Sequence, residues 1–199
     1  MADHLTYRDN TIRWARDILA KEFLVLDTET TRLGNDDEAV SIAIIREGQP
    51  LLNTLLRHTK ECDPGALAIH GITWKETREA PSFKEMYSNL VRILKGQTVL
   101  IYNATFDGRI LRQTCQRYGL LWSAIEDNCQ LIDAMKPFAA FYGEIHRGTG
   151  GFKWQRLTTA AHHFKISTFG AHGALADCLM TLKVVEAMAA AKLSEEKDG

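Results

Sequence analysis

Apolar positions change their spacing along the chain, and the changes mark out the elements. Over residues 11–20, Ile12, Ala15, Ile18 and Leu19 recur at helical spacing, with Thr11 placed to cap the helix. Residues 23–26, Phe-Leu-Val-Leu, form the short unbroken run of a central strand. Residues 40–45 and 51–56 read as two more strands, and the stretch between them is short enough for an antiparallel hairpin. The spacing then returns to the helical period. Residues 81–95 carry Phe83, Met86, Leu90, Val91 and Leu94 on one stripe. Residues 98–102 are predicted as a strand, 106–118 as a helix, 129–132 as a fifth strand, and 154–164 and 174–190 as helices. This order predicts an α/β fold, with a mixed central sheet of about five strands flanked by helices.

Two stretches fall outside this pattern. Residues 136–153 hold Phe138, Phe141, Tyr142 and Phe152 among Gly143, Gly148, Gly150 and Gly151. The glycines predict an irregular loop, long enough to serve as a lid or binding loop. Residues 194–199 read as a frayed end. The expected organisation is a helical extension over 1–21, one domain over 22–191 with a loop insertion at about 136–153, and a flexible tail over 192–199.

Composition narrows the class. In 199 residues, 45% hydrophobic and 25% charged side chains suit one packed domain and exclude a disordered, collagen-like or coiled-coil chain. No apolar run approaches the roughly 18 residues of a membrane helix, and the first residues have no apolar signal core. The four cysteines, Cys62, Cys115, Cys129 and Cys178, form no CxxC pair, which argues against a zinc ribbon or a disulfide framework. A reducing cytoplasm, with no membrane, is therefore expected. The net charge of −1 gives no overall basic field, so a phosphate-binding site would depend on local charge or on metal ions.

Acidic residues supply the candidate chemistry. Asp27 and Glu29 end the first predicted strand, and side chains two apart on a strand share a face. Two carboxylates so placed repel each other and resist burial unless a divalent cation joins them. The Asp-x-Glu spelling arises about once by chance in a chain this acidic. A second copy, Asp36-x-Glu38, falls in a predicted loop and reads as solvated surface. Asn103-Ala104-Thr105-Phe106-Asp107 follows the 98–102 strand. There Asn103 can cap the next helix, Phe106 can anchor the turn, and Asp107 falls in the first turn, where plain capping is an equal explanation. His172 stands just before the last predicted helix, and Asp177 lies among Ala174, Leu175, Ala176, Cys178 and Leu179, apolar company that makes a lone carboxylate costly. Were Asp27, Glu29, Asp107 and Asp177 to converge, two divalent ions would offset about four negative charges. Such a site suits phosphodiester hydrolysis, with His172 able to take a proton from water.

In this order, Asp27-Thr28-Glu29-Thr30-Thr31, Asn103 to Asp107 and His172-x4-Asp177 resemble the DEDDh, or DnaQ-like, 3′→5′ exonucleases. Ile69-His70-Gly71-Ile72-Thr73 and Ala80-Pro81-Ser82-Phe83 are similar to that family's intervening segment. The resemblance spans roughly residues 22–190. It implies a ribonuclease-H-like fold and release of 5′-mononucleotides from a free 3′ end, using two Mg²⁺ or Mn²⁺ ions. It also implies that Asp27, Glu29 and Asp177 hold the catalytic metal, with Asp27 bridging to a second ion served by Asp107. His172 would be the general base. Thr30 and the loop of His70, Gly71 and Ile72, together with Asn103 and Phe106, would meet the substrate. The chain departs from the pattern at Arg32, where glycine is usual, and at Tyr102, where histidine is usual.

The remaining signals divide between function and packing. The basic stretch 144–165 could guide a nucleic-acid backbone, with Phe141, Tyr142 or Trp154 stacking on bases. Packing in the core is the first reading of Trp154 and Phe164. His162 and His163 have no partner at metal-ligand spacing, Asp133 reads as a local hydrogen-bonding residue, and the cysteines read as packing residues. Single-stranded DNA is the expected substrate and an exoribonuclease is the alternative. An inactive module that binds nucleic acid or a polymerase is the competing class. Intact carboxylates and an intact His172 weigh against it, and no polymerase or other protein partner is identifiable.

Overall fold

The computed structural model describes residues 4–32, 34, 36–148 and 150–197. Five strands form one sheet in the order β3-β2-β1-β4-β5. They are β1 (Leu24–Thr30), β2 (Ala39–Arg46), β3 (Gln49–Leu55), β4 (Thr98–Ile101) and β5 (Gln130–Asp133). β1 to β3 form an antiparallel meander, while β4 and β5 add in parallel. The β2–β3 hairpin turns on Glu47 and Gly48, both at positive φ (49° and 76°), as a two-residue turn matching strand twist requires.

The alternation of β1 splits the core. Val25 joins Ala43, Ile45 and Leu100 beneath α1 (His4–Leu19), α7 (Met135–Tyr142), α8 (Leu157–His163) and α9 (Ala174–Ala190). Leu24 and Leu26 face the other way, with Ile42, Ile44 and Val99, against α4 (Phe83–Leu94), α5 (Ala104–Arg117) and α6 (Ser123–Glu126). The short helices α2 (Pro64–His70) and α3 (Trp74–Thr77) lie between β3 and α4 in the chain. Among the described residues, no helix is long and apolar enough to cross a membrane.

Several expectations need correction. The first helix begins at His4, not at Thr11. Thr11 lies inside it and donates to the Arg8 carbonyl at 2.7 Å. Tertiary contacts hold its polar first turns: the Arg8 guanidinium lies 4.8 Å from the centre of the Phe141 ring, and Asp9 accepts the Ser194 N–H. Ile12 and Ala15 are fully buried, so this helix belongs to the core and is no appendage. Residues 136–142, expected as loop, belong to α7. Its Phe138 and Phe141 are buried, and only Gly143 (φ 82°) breaks the helix, as a left-handed cap. The irregular stretch therefore starts at 143. Ser194–Lys197 form a 3₁₀ turn, and the last two tail residues lie outside the described residues. Glu38, read as solvated, is fully buried. Its carboxylate accepts from the Thr59 N–H and hydroxyl, both at 2.7 Å.

Candidate active site

Strand alternation carries two polar residues onto the face that Val25 begins. Asp27 and Glu29 follow Val25 toward α9, while Thr28 follows Leu26 toward α5. On α9, Asp177 comes just before fully buried Cys178, whose thiol rests against the Val25 and Ala43 carbonyls at 3.7 and 3.5 Å. That packing fixes α9 over β1. Asp27, Glu29 and Asp177 consequently bring carboxylate oxygens within 4.8 Å of one another.

Asp107 reaches the site from the opposite layer. It is 3% exposed, and one oxygen accepts from the Thr28 N–H at 3.0 Å and the Thr28 hydroxyl at 2.8 Å. Both donors belong to the residue between the two β1 carboxylates, so Asp107 is pinned beside them without joining the three-oxygen group. Asn103 occupies the cap position of α5 at φ 82° but makes no capping bond with its side chain. That expectation fails because the Asp133 carboxylate takes over, accepting from the Ala104 N–H at 2.9 Å and the Lys136 N–H at 3.0 Å. Asp133 is thereby the local hydrogen-bonding residue it was expected to be.

The electrostatics are strained. Two full charges 4.8 Å apart repel by about 3.5 kcal/mol at an effective dielectric of about 20. Three such pairs rival the whole stability of an ordinary domain, about 5–15 kcal/mol. The site must hold protons or cations. Burial, then Asp107, Asp177 and Glu29, drive the Asp27 carboxyl well above the usual range. Burial and the charges of Asp177 and Asp107 push Glu29 to about 8. Burial carries Asp107 to about 7, against the lowering effect of its Thr28 hydrogen bonds. Asp177 is also raised by burial, despite the His172 N–H that it accepts. Clustered carboxylate oxygens are the ligand set of hard divalent cations, so these residues fit a metal of that class.

His172 sits at φ 69°, a left-handed conformation costly for a residue with a Cβ. Its N–H donates to Asp177 Oδ1 at 3.2 Å, and its ring is exposed to solvent. The hydrogen bond to Asp177 holds the residue beside the carboxylates despite that cost.

Two adjoining clefts meet at this cluster. The smaller, about 320 Å³, is lined by Thr28, Glu29, Thr30, Arg32, His70 and Phe106, among others. The larger, about 720 Å³, is lined by Asn103, Phe106, Arg109, Trp154, His172 and Asp177, among others. Ile69 and Phe106 line both and form the divider. Thr30 is buried, its hydroxyl donating to the Arg32 carbonyl at 2.8 Å. His70 Nε2 donates to the Thr30 carbonyl at 3.2 Å, while Nδ1 accepts the Ile72 N–H at 3.0 Å. These bonds fix a neutral tautomer, in keeping with a His70 value lowered chiefly by burial. Gly71 (φ 70°) caps α2, and neither Gly71 nor Ile72 lines these two clefts. Their neighbour Ile69, quoted within the family-like segment but not read as a site residue, lines both. Nothing in the apolar spacing around His70 marked Ile69 as 51% exposed. Arg32 pairs with Asp63 at 3.2 Å, and Asp63 also caps α2. Trp154, first read as core, is 63% exposed, whereas Phe164 packs against the core as expected.

Known proteins similar to this chain include exonucleases and polymerase subunits. The family model for exonucleases of the RNase T type matches residues 24–185. An uncharacterized exonuclease of Escherichia phage 186 is 38% identical over 182 residues, covering 88% of this chain and 92% of that one. The DNA polymerase III subunit epsilon of Buchnera aphidicola (subsp. Schizaphis graminum) is 27% identical over 130 residues, covering 58% of this chain and 54% of that one. The structure of E. coli exonuclease I in complex with a dA16 oligonucleotide superposes with a TM-score of 0.67 at 22% identity. The match covers 83% of this chain and 41% of that one, so this chain spans under half the length of that structural neighbour.

Proposed function

This chain belongs to the RNase T/DnaQ-like exonuclease family, and from that premise we propose that it removes 5′-mononucleotides one at a time from the 3′ end of single-stranded DNA. One observation carries the reading. Three carboxylates converge at the seam of two adjoining clefts, so a phosphodiester laid across the seam has a nucleotide on either side. The smaller cleft suits one terminal nucleoside, and the larger suits the strand behind it. The oligonucleotide bound to the structural neighbour supports a single-stranded substrate.

Asp27, Glu29 and Asp177 would hold a divalent cation directly, and Asp107 would serve a second. When bound, Mg²⁺ or Mn²⁺ would neutralise the carboxylates and stabilise charge developing on the phosphate oxygens. His172 would take one proton from the attacking water, whose oxygen bonds to phosphorus as the bond to the upstream 3′-oxygen breaks. That oxygen leaves as the new 3′-hydroxyl after gaining a proton, and the product carries a 5′-phosphate. Phe106 and Ile69 would separate the two nucleotides across the cut. Its proposed compartment is the cytoplasm, a reading supported by its four free thiols.

The test is chromatography of products from matched DNA and RNA oligonucleotides. Deoxynucleoside 5′-monophosphates appearing from the first turnover support the proposal. Faster release from RNA would transfer it to an exoribonuclease. Internal fragments, or 3′-phosphates, would overturn it.

A further inference from the structure

We propose that Trp154 is a stacking platform for a base upstream of the scissile bond, and that Tyr102 is the positioning residue that aims it. This rests on the nuclease reading above and adds a residue to it. A tryptophan 63% exposed contributes little to the core, yet Trp154 lines the larger cleft beside His172 and Asp177. Arg109 and Arg156 line the same cleft. Arg156 is exposed, so its guanidinium can meet a phosphate, whereas Arg109 is engaged by the Gly34 carbonyl and the Phe106 ring. An aromatic face next to a cation is what a single strand asks of a groove: bases stack on the one and the backbone follows the other, with little dependence on sequence.

The loop that carries Trp154 is built to hold still. Lys153 Nζ pairs with the Glu144 carboxylate at 2.6 Å, and the Lys153 N–H donates to the Glu144 carbonyl at 2.7 Å. Gln155 Nε2 donates to Glu144 at 2.8 Å. The Tyr102 hydroxyl donates to the Gln155 carbonyl at 3.1 Å. Tyr102 is 7% exposed, follows β4 and precedes Asn103, so this bond ties the loop to the sheet end that carries the Asn103–Asp107 turn. With its backbone anchored, only the tryptophan side chain has to be ordered when a base lands on it.

The experiment is a cycle between protein and substrate. Short single-stranded DNAs carry one abasic sugar at the second, third or fourth position from the 3′ end, beside an intact control. Trp154→Ala is expected to raise KM on the intact strand by about 5- to 150-fold, the scale of one lost base–aromatic stack, with a smaller effect on kcat. At one of the three positions the abasic sugar should cost the wild type a comparable factor and cost Trp154→Ala nothing. Trp154→Phe should keep most of the wild-type KM. Tyr102→Phe, which loses only the hydroxyl, should raise KM severalfold and blunt the abasic penalty at the same position. Equal abasic penalties in wild type and Trp154→Ala at all three positions would overturn the proposal. A wild-type chain that degrades no single strand would bring down the nuclease reading, and this inference with it.

Discussion

Replacing Glu29 by Gln should stabilise the metal-free protein while abolishing its nuclease activity. Glu29 is about 9% exposed, and burial with the Asp177 and Asp107 charges moves its carboxyl from 4.5 to about 8. Because the folded value lies above the unfolded one, the folded state binds the extra proton between the two. This contribution to stability is complete below about 4.5 and is lost as pH rises through about 8. At about 1.4 kcal/mol per pH unit, the full span sets a ceiling of nearly 5 kcal/mol. The neighbouring carboxylates share the protons, so a gain of roughly 1–4 kcal/mol is expected from Gln at pH 8, where the glutamate is half charged. In a chain this long that corresponds to a rise in Tm of roughly 3–12 °C. The assay is thermal unfolding in EDTA at pH 5.0, 6.5 and 8.0. Wild type should weaken as pH rises, and Glu29→Gln should weaken less, so that the two curves diverge toward pH 8. Saturating Mn²⁺ should restore the wild type far more than the variant. A Glu29→Gln protein less stable than wild type in EDTA at pH 8 would show instead that the charged glutamate stabilises the fold.

Further outcomes follow from single contacts. Thr28→Val removes the hydroxyl donor from buried Asp107 and should cost about 0.5–1.5 kcal/mol in denaturant unfolding, with activity falling as Asp107 becomes easier to protonate. His172→Asn keeps a residue that tolerates the left-handed backbone but removes the base. It should lower kcat by about 10²- to 10⁴-fold with Tm nearly unchanged, and a wild-type kcat would remove His172 from the reaction. Asp63→Ala deletes both the α2 cap and the Arg32 partner. It should cost about 1 kcal/mol and raise KM, since α2 carries Ile69 and His70 against the smaller cleft; unchanged KM would separate that helix from binding.

The sheet and its outer helices were legible because their signals are local. The unbroken run Leu24-Val25-Leu26, the 40–56 hairpin and the stripe of α4 each declare their period within a few residues. Asp27, Glu29 and Asp177 were readable for a similar reason, as carboxylates written into apolar surroundings. What escaped was set by contacts far apart in sequence. The polar first turns of α1 are helical because Arg8 and Asp9 find Phe141 and Ser194. Glu38 is buried because Thr59 supplies two donors. α7 was hidden by Gly143, which ends that helix without interrupting it. Trp154 looked like core because its exposure depends on a loop pinned by Glu144 and Tyr102. Ile69 went unmarked because an apolar residue on a short helix does not announce which side faces a cleft.

On the proposed mechanism, hydrolysis depends on a divalent-cation site formed by Asp27, Glu29 and Asp177. Its most direct test is Mn²⁺ binding, measured by calorimetry on the EDTA-stripped protein and compared with Asp27→Asn. Two bound ions per wild-type chain, lost in the variant together with exonuclease activity while its fold is kept, is the predicted result. Undiminished Mn²⁺ binding in Asp27→Asn, or wild-type cleavage with no bound metal, would contradict the account.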